Sequence, residues 1–139
     1  QGSYANELKI KISDLKLGKI VQLLGFIDDE KLCNFYTSSD VYILCTREDS
    51  INNHVEGFGL VFLEAQACGI PVIGTNAIEN ENGGWLIDAD DKEQLSKLLI
   101  YLIDNPEVIR LNGEKARKRV LEGCTWSHYY NDFIREIND

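Results

Sequence analysis

The sequence predicts an α/β fold, a parallel sheet with helices on both faces. Two observations carry this expectation. Short, continuously apolar runs such as VYILCT (Val41–Thr46) and IPVIGT (Ile70–Thr75) have the character of strands covered on both sides. They alternate with longer segments of helical period, the order that builds parallel strands joined by crossover helices. In such sheets ligands bind beyond the carboxyl ends of the strands, in loops that lead into helices. The loop after VYILCT is therefore the prime location for a site.

Taken in order, NELKIKISDLKL (Asn6–Leu17) spaces Leu8, Ile12 and Leu15 near the helical period with lysines between them, and predicts an amphipathic helix ending at Gly18. KIVQLLGFI (Lys19–Ile27) is β-branched and aliphatic and predicts a strand, stopped by Gly25 and by Asp28 and Asp29, which can cap the next helix. That helix carries Leu32, Phe35 and Tyr36 on its inner face. After VYILCT, the polar loop REDSINNHVE leads into a helix at FGLVFLEAQACG, closed by Gly69 as a C-terminal glycine. IPVIGT and GWLID (Gly84–Asp88) are further strands. DDKEQLSKLLIYLIDN is a helix with Leu95, Leu98, Leu99 and Leu102 as its stripe, and Pro106 opens the next helix from its first turn. A last amphipathic helix follows at about 125–138, capped by Thr125 or Ser127. No internal repeat or low-complexity linker interrupts the chain, so residues 1–139 are expected to form one domain.

Composition narrows the function. The 139 residues are 44% hydrophobic, ample for one core, and the formal net charge is −9. That balance argues against nucleic-acid binding by counterion release, which needs clustered Lys and Arg; GEKARKRV (Gly113–Val120) is read as a solvated helix face. Cys33, Cys45, Cys68 and Cys124 are widely spaced among apolar or helical neighbours, which suits buried, reduced thiols in a reducing compartment. His54 and His128 have no second ligand at metal spacing, so no metal site is expected. No 18-residue apolar run and no signal-peptide pattern occurs, and the visible chain is expected to be soluble.

The informative stretch is VEGFGLVFLEAQACGIPVIGT (Val55–Thr75). Glu56, Gly57, Phe58 and Gly59 stand where the loop enters a helix, and the amides of a helix start together with the positive dipole end suit a phosphate or another anion. Glycine in a strand-to-helix turn is by itself common. Glu64 lies eight positions on from Glu56, about 12 Å along a helix and within roughly 80° around its axis. Its neighbours Leu60, Val61, Phe62, Leu63, Ala65 and Ala67 are nearly all apolar, so its carboxylate is expected to be buried and to need hydrogen-bond donors. It reads either as a structural glutamate or as a carboxylate that grips ligand hydroxyls such as a ribose diol.

The same residues resemble the E-x7-E signature of retaining glycosyltransferases with the GT-B fold, and are most similar to glycosyltransferase family 4, the glycosyl transferases group 1 domain. EGFGLVFLE carries the signature and AQACGIPVIGT its continuation; GFIDDEKLCNFYTSSDVYILCT before it, and NGGWLID and TWSHYYNDF after it, extend the likeness over nearly the whole chain. The resemblance implies the Rossmann-like, C-terminal donor-binding half of a GT-B fold, with its first strand and the N-terminal acceptor domain missing from the chain. It implies that Glu56 contacts the transferred sugar as the catalytic residue and that Glu64 accepts hydrogen bonds from the ribose. The N–H groups of Phe58, Gly59 and Leu60, next to Gly57, would meet the sugar or diphosphate, and backbone groups at Phe26 and Ile27 would read the base edge. Gly2 would belong to the family's glycine turn, and Thr75 to the donor site at the end of its strand.

The implied reaction moves a sugar from a nucleotide diphosphate sugar to a saccharide or lipid-linked acceptor with retention at the anomeric carbon. It needs no metal or other cofactor, in the cytoplasm, with peripheral membrane association of the full protein as an open option. Retaining hydrolases use two carboxylates about 5 Å apart, so acids about 12 Å apart along a helix do not form that pair. The leaving diphosphate is then the base for the acceptor. The chain departs from the family by starting after the loop that supplies an arginine and a lysine to the diphosphate. It also has only Asn76 where a glycine-rich, acid-ended loop usually follows Thr75, which points to a deletion or to absent residues. The loop REDSINNHVEGFG is longer than usual, a lid or a surface insertion, and His54 within it is either a sugar contact or a surface histidine. The isolated chain is expected to bind donor without turnover. A nucleotide-sugar epimerase of the same fold and a non-catalytic Rossmann-like binding module remain as alternatives.

Overall fold

The structure, a computed structural model, describes residues 4–46, 59–75 and 83–138. Its elements in chain order are α1 (Ala5–Asp14), α2 (Asp29–Thr37), β1 (Tyr42–Leu44), α3 (Leu60–Ala67), β2 (Val72–Thr75), β3 (Gly84–Ile87), α4 (Lys92–Asp104), α5 (Pro106–Gly123) and α6 (Trp126–Asn138). The chain forms two compact units, Gln1–Leu32 and Cys33–Asp139.

In the first unit α1 stops earlier than Gly18. Lys16 takes a left-handed conformation (φ 56°), and the N–H groups of Lys16 and Leu17 turn back to the carbonyls of Ser13 and Ile12 at 2.9 Å each. This is the usual geometry of a helix end, made here by a lysine where glycine is commoner. The strand expected over residues 19–27 does not form. The amides of Ile20 and Val21 both donate to the Leu17 carbonyl at 2.9 Å, and Gly25 sits at φ 69°, outside the β region. An apolar run becomes a strand only where a neighbour completes its ladder, and here a local turn takes up the first amides instead. Ile20 and Phe26 consequently stand 78% and 86% exposed.

The second unit has a parallel sheet in the order β1-β2-β3. Tyr42 is in register with Val72, and Val72 with Gly84. Because side chains alternate along a strand, Ile73, Trp85 and Ile87 share one face, and Tyr42 and Val72 share the other. The first face carries the core: Ile73, Ile87 and Leu102 are buried, with Leu95, Leu98 and Leu99 of α4 and Val108 and Ile109 of α5 packed against them. The leucine stripe read from the sequence is thus the inner face of α4. Asp91 caps that helix by accepting from the Gln94 amide at 2.8 Å. Pro106 opens α5. Of the two candidate caps for α6, the structure uses Thr125, whose hydroxyl meets His128 Nδ1 at 2.7 Å and accepts from the His128 amide at 3.4 Å.

On the opposite face α3 crosses over between β1 and β2. It ends at Gly69 as expected, with φ 82° there and with the Gly69 and Ile70 amides bonded to the Gln66 and Ala65 carbonyls at 2.9 and 3.0 Å. Gly113 of α5 lies directly against this turn. A Cβ at Gly113 would run into the Gly69 carbonyl oxygen and come within 3.3 Å of Pro71 Cδ. The two helices therefore approach through backbone, which only a glycine allows.

Candidate functional site

Gly59 is the residue before α3 and holds φ 65°, ψ 43°, a left-handed conformation, while its carbonyl accepts from the Phe62 amide at 2.9 Å. A Cβ there would also lie 2.9 Å from Phe62 Cδ2. Glycine is thus required both for its backbone angle and for the space over the Phe62 ring. Among the described residues no side chain caps the helix start, which presents backbone N–H groups and the positive end of the dipole beside Leu60.

Glu64 follows Leu60 by one helical turn, and the two share a face. That face is open: Leu60 is 52% exposed and Glu64 is exposed. The expected burial of Glu64 is therefore corrected. α3 is apolar on nearly every side, yet only Phe62, Ala65 and Gln66 are buried by the neighbouring elements. Among the described residues Glu64 has one fixed donor, the Tyr36 hydroxyl, at 3.2 Å from Oε2.

Tyr36 is held from below by a run of rings. It meets Tyr42 of β1 edge to face at 5.7 Å and 67°, and Tyr42 meets Phe62 at 5.7 Å and 87°. The ring is 9% exposed. Burial, then the Glu64 charge and the hydrogen bond to it, push the phenol up to about 12. The hydroxyl thus stays protonated and donates, orienting a carboxylate that retains further acceptor capacity for ligand hydroxyls.

Thr75, at the carboxyl end of β2, is buried, and its hydroxyl donates to the Thr46 carbonyl at 2.7 Å, with the two hydroxyl oxygens 3.4 Å apart. Gly59, which precedes α3, and Leu60 and Glu64 on it are brought together. Phe26 is exposed and Ile27 half-buried in the first unit. Gly2, Glu56, Gly57 and Phe58, together with His54 and the residues between Thr75 and Gly83, lie outside the described residues.

Tyr36 is the residue that sequence reasoning placed only on an inner helix face. A signal was present: Phe35 beside it carries no polar atom, whereas a tyrosine turned inward brings a hydroxyl that must find a partner. The cysteines also differ from expectation, since Cys33 and Cys45 are exposed and Cys68 and Cys124 half-buried; all four are free. A groove of about 410 Å³ along the end of α5, lined by Lys115, Lys118, Arg119, Glu122 and Gly123, includes none of the sequence-predicted site residues. Among the described residues no group of three or more His, Cys, Asp or Glu could hold a metal ion, and no helix is long and apolar enough to cross a membrane.

The sequence profile of the family described as glycosyl transferases group 1 matches residues 1–119. The chain is 32% identical over 130 residues to the GDP-mannose-dependent monoacylated alpha-(1-6)-phosphatidylinositol monomannoside mannosyltransferase of Corynebacterium glutamicum, covering 90% of this chain and 34% of that protein. It is 30% identical over 129 residues to the UDP-Gal:alpha-D-GlcNAc-diphosphoundecaprenol alpha-1,3-galactosyltransferase of Escherichia coli, covering 88% and 31%. The chain thus spans about a third of the length of these curated relatives, 34% and 31%. Among solved structures, sucrose-phosphate synthase from Thermosynechococcus elongatus matches with a TM-score of 0.79 at 26% identity, over 98% of this chain and 35% of that one.

Proposed function

The chain belongs to the glycosyl transferases group 1 family, and on that premise we propose that it is the donor-binding part of a retaining glycosyltransferase that uses a nucleotide diphosphate sugar. The observation that carries the reading is the exposed Glu64 carboxylate, held by Tyr36 on the helix that follows a parallel strand. A carboxylate with one oriented oxygen and open acceptor positions suits a vicinal diol, the group a ribose presents. The start of the same helix, shaped by Gly59, suits the diphosphate. Two relatives are named for such donors, GDP-mannose in one and UDP-Gal in the other, and both names print lipid-linked acceptors. These support the donor class and a saccharide or lipid-linked acceptor.

In this reading Glu64 anchors the ribose, the amides of Phe58, Gly59 and Leu60 beside Gly57 take the diphosphate, and Glu56 orients the transferred sugar. Thr75 lines the strand end. The leaving diphosphate accepts the proton of the acceptor hydroxyl, its developing charge met by the helix dipole. The reaction proceeds without a metal, in the cytoplasm, and the chain alone binds donor without turning it over. Calorimetric titration with uridine, guanosine and adenosine diphosphate sugars tests the proposal. Binding of at least one is expected, weakened about tenfold, roughly 1.4 kcal/mol, by Glu64→Ala. Silence across the whole panel overturns it.

A further inference from the structure

Cys33 and Cys68 lie 35 residues apart in sequence, yet their sulfurs are 3.6 Å apart. Cys33 is in α2, and Cys68 is the residue that ends α3. The pair is not a stray contact. Cys33 precedes Tyr36 by three positions, and Cys68 follows Glu64 by four, so each thiol shares a helix face with one member of the Tyr36–Glu64 hydrogen bond. Two cross-helix pairs therefore sit side by side at the α2–α3 junction. A disulfide needs its sulfurs at about 2.05 Å, so from 3.6 Å the two have about 1.5 Å left to close.

We infer that Cys33 and Cys68 are a modification site that forms a reversible intramolecular disulfide by exchange with a low-molecular-weight disulfide. Cys33 is exposed and reacts first. Its thiolate attacks one sulfur of oxidised glutathione, forming a mixed disulfide and expelling one glutathione thiolate. The Cys68 thiolate then attacks the Cys33 sulfur, forming the Cys33–Cys68 bond and expelling the second. Two protein thiols lose two electrons and two protons, and one glutathione disulfide becomes two glutathione thiols. Burial, followed by the hydrogen bond with Cys33, raises the Cys68 thiol above its ordinary range. This disfavours Cys68 as the first attacker, while its proximity makes it the resolving group, since the second step is intramolecular. The bond would fix α2 against the end of α3 and so clamp the junction that orients Glu64; the crosslink itself does not depend on the donor reading.

The test is oxidation of the folded protein with excess oxidised glutathione, followed by thiol blocking and non-reducing peptide mass spectrometry. A Cys33–Cys68 crosslinked peptide is expected, abolished by dithiothreitol, with Cys45 and Cys124 outside it. Cys68→Ser should instead stop at a glutathione adduct on Cys33, and Cys33→Ser should yield no crosslink. Oxidised wild-type protein should also unfold at a higher urea midpoint than reduced protein, a difference lost in both variants. Glutathione on both Cys33 and Cys68 without a bond between them, or preferential pairing of either with Cys45 or Cys124, would overturn the inference.

Discussion

Replacing Tyr36 by Phe removes one hydroxyl and leaves the ring that packs on Tyr42. The loss is the 3.2 Å hydrogen bond to Glu64 Oε2. A hydrogen bond to a charged group contributes about 1.5–3 kcal/mol when buried, but Glu64 is exposed and water replaces part of it, which brings the expected cost down to about 1 kcal/mol. If the hydroxyl acts by orienting the carboxylate for a donor diol, donor affinity should fall about fivefold, since 1.4 kcal/mol is tenfold. The assay is calorimetry on wild type, Tyr36→Phe, Glu64→Ala and the double variant, with the tightest donor. The cycle isolates the pair: Tyr36→Phe should weaken binding in wild type and cost almost nothing once Glu64 is gone. An equal loss in both backgrounds would show that Tyr36 does not act through Glu64 and would refute the reasoning.

Two further outcomes concern stability. The Tyr36 phenol is pushed up from 10.0 to about 12 in the folded state, so the folded protein binds that proton more tightly than the unfolded chain. Its contribution is fully present below pH 10.0 and is lost as pH rises through about 12; urea midpoints at pH 9 and 11, roughly either side of the unfolded tyrosine value, should differ less in Tyr36→Phe than in wild type, and an unchanged difference would count against this. Gly113→Ala should lower stability by about 2–3 kcal/mol, because the new methyl meets the Gly69 carbonyl, a backbone group that cannot swing aside. A urea midpoint equal to wild type would show that α3 and α5 do not approach as described.

The legible parts of the fold are those that depend on one segment at a time. Leu95, Leu98, Leu99 and Leu102 define the inner face of α4 because the helix has one apolar side; Pro106 and Gly69 mark a helix start and end because their backbone preferences are local. The less legible parts depend on what covers a segment. Residues 19–27 are as apolar as a buried strand but lack a ladder. α3 is apolar on nearly all sides, so its pattern could not say that Glu64 faces outward. The helix start at Gly59 and the carboxylate at Glu64 were readable as a candidate site from spacing. The partner of that carboxylate was not, because Tyr36 lies 28 residues away and meets it only after β1 brings the two helices together.

The hydrogen bond from Thr75 to Thr46 has a consequence for any ligand seated beyond the strands. It ties the last residue of β2 to a carbonyl two residues past the end of β1, where a sheet would otherwise begin to fray. The two strand ends are thus joined past the last ladder pair, with their spacing there held by this bond. Ordering a bound molecule against these ends takes freedom from that molecule and not from the sheet, which is how a scaffold favours binding before any contact is made.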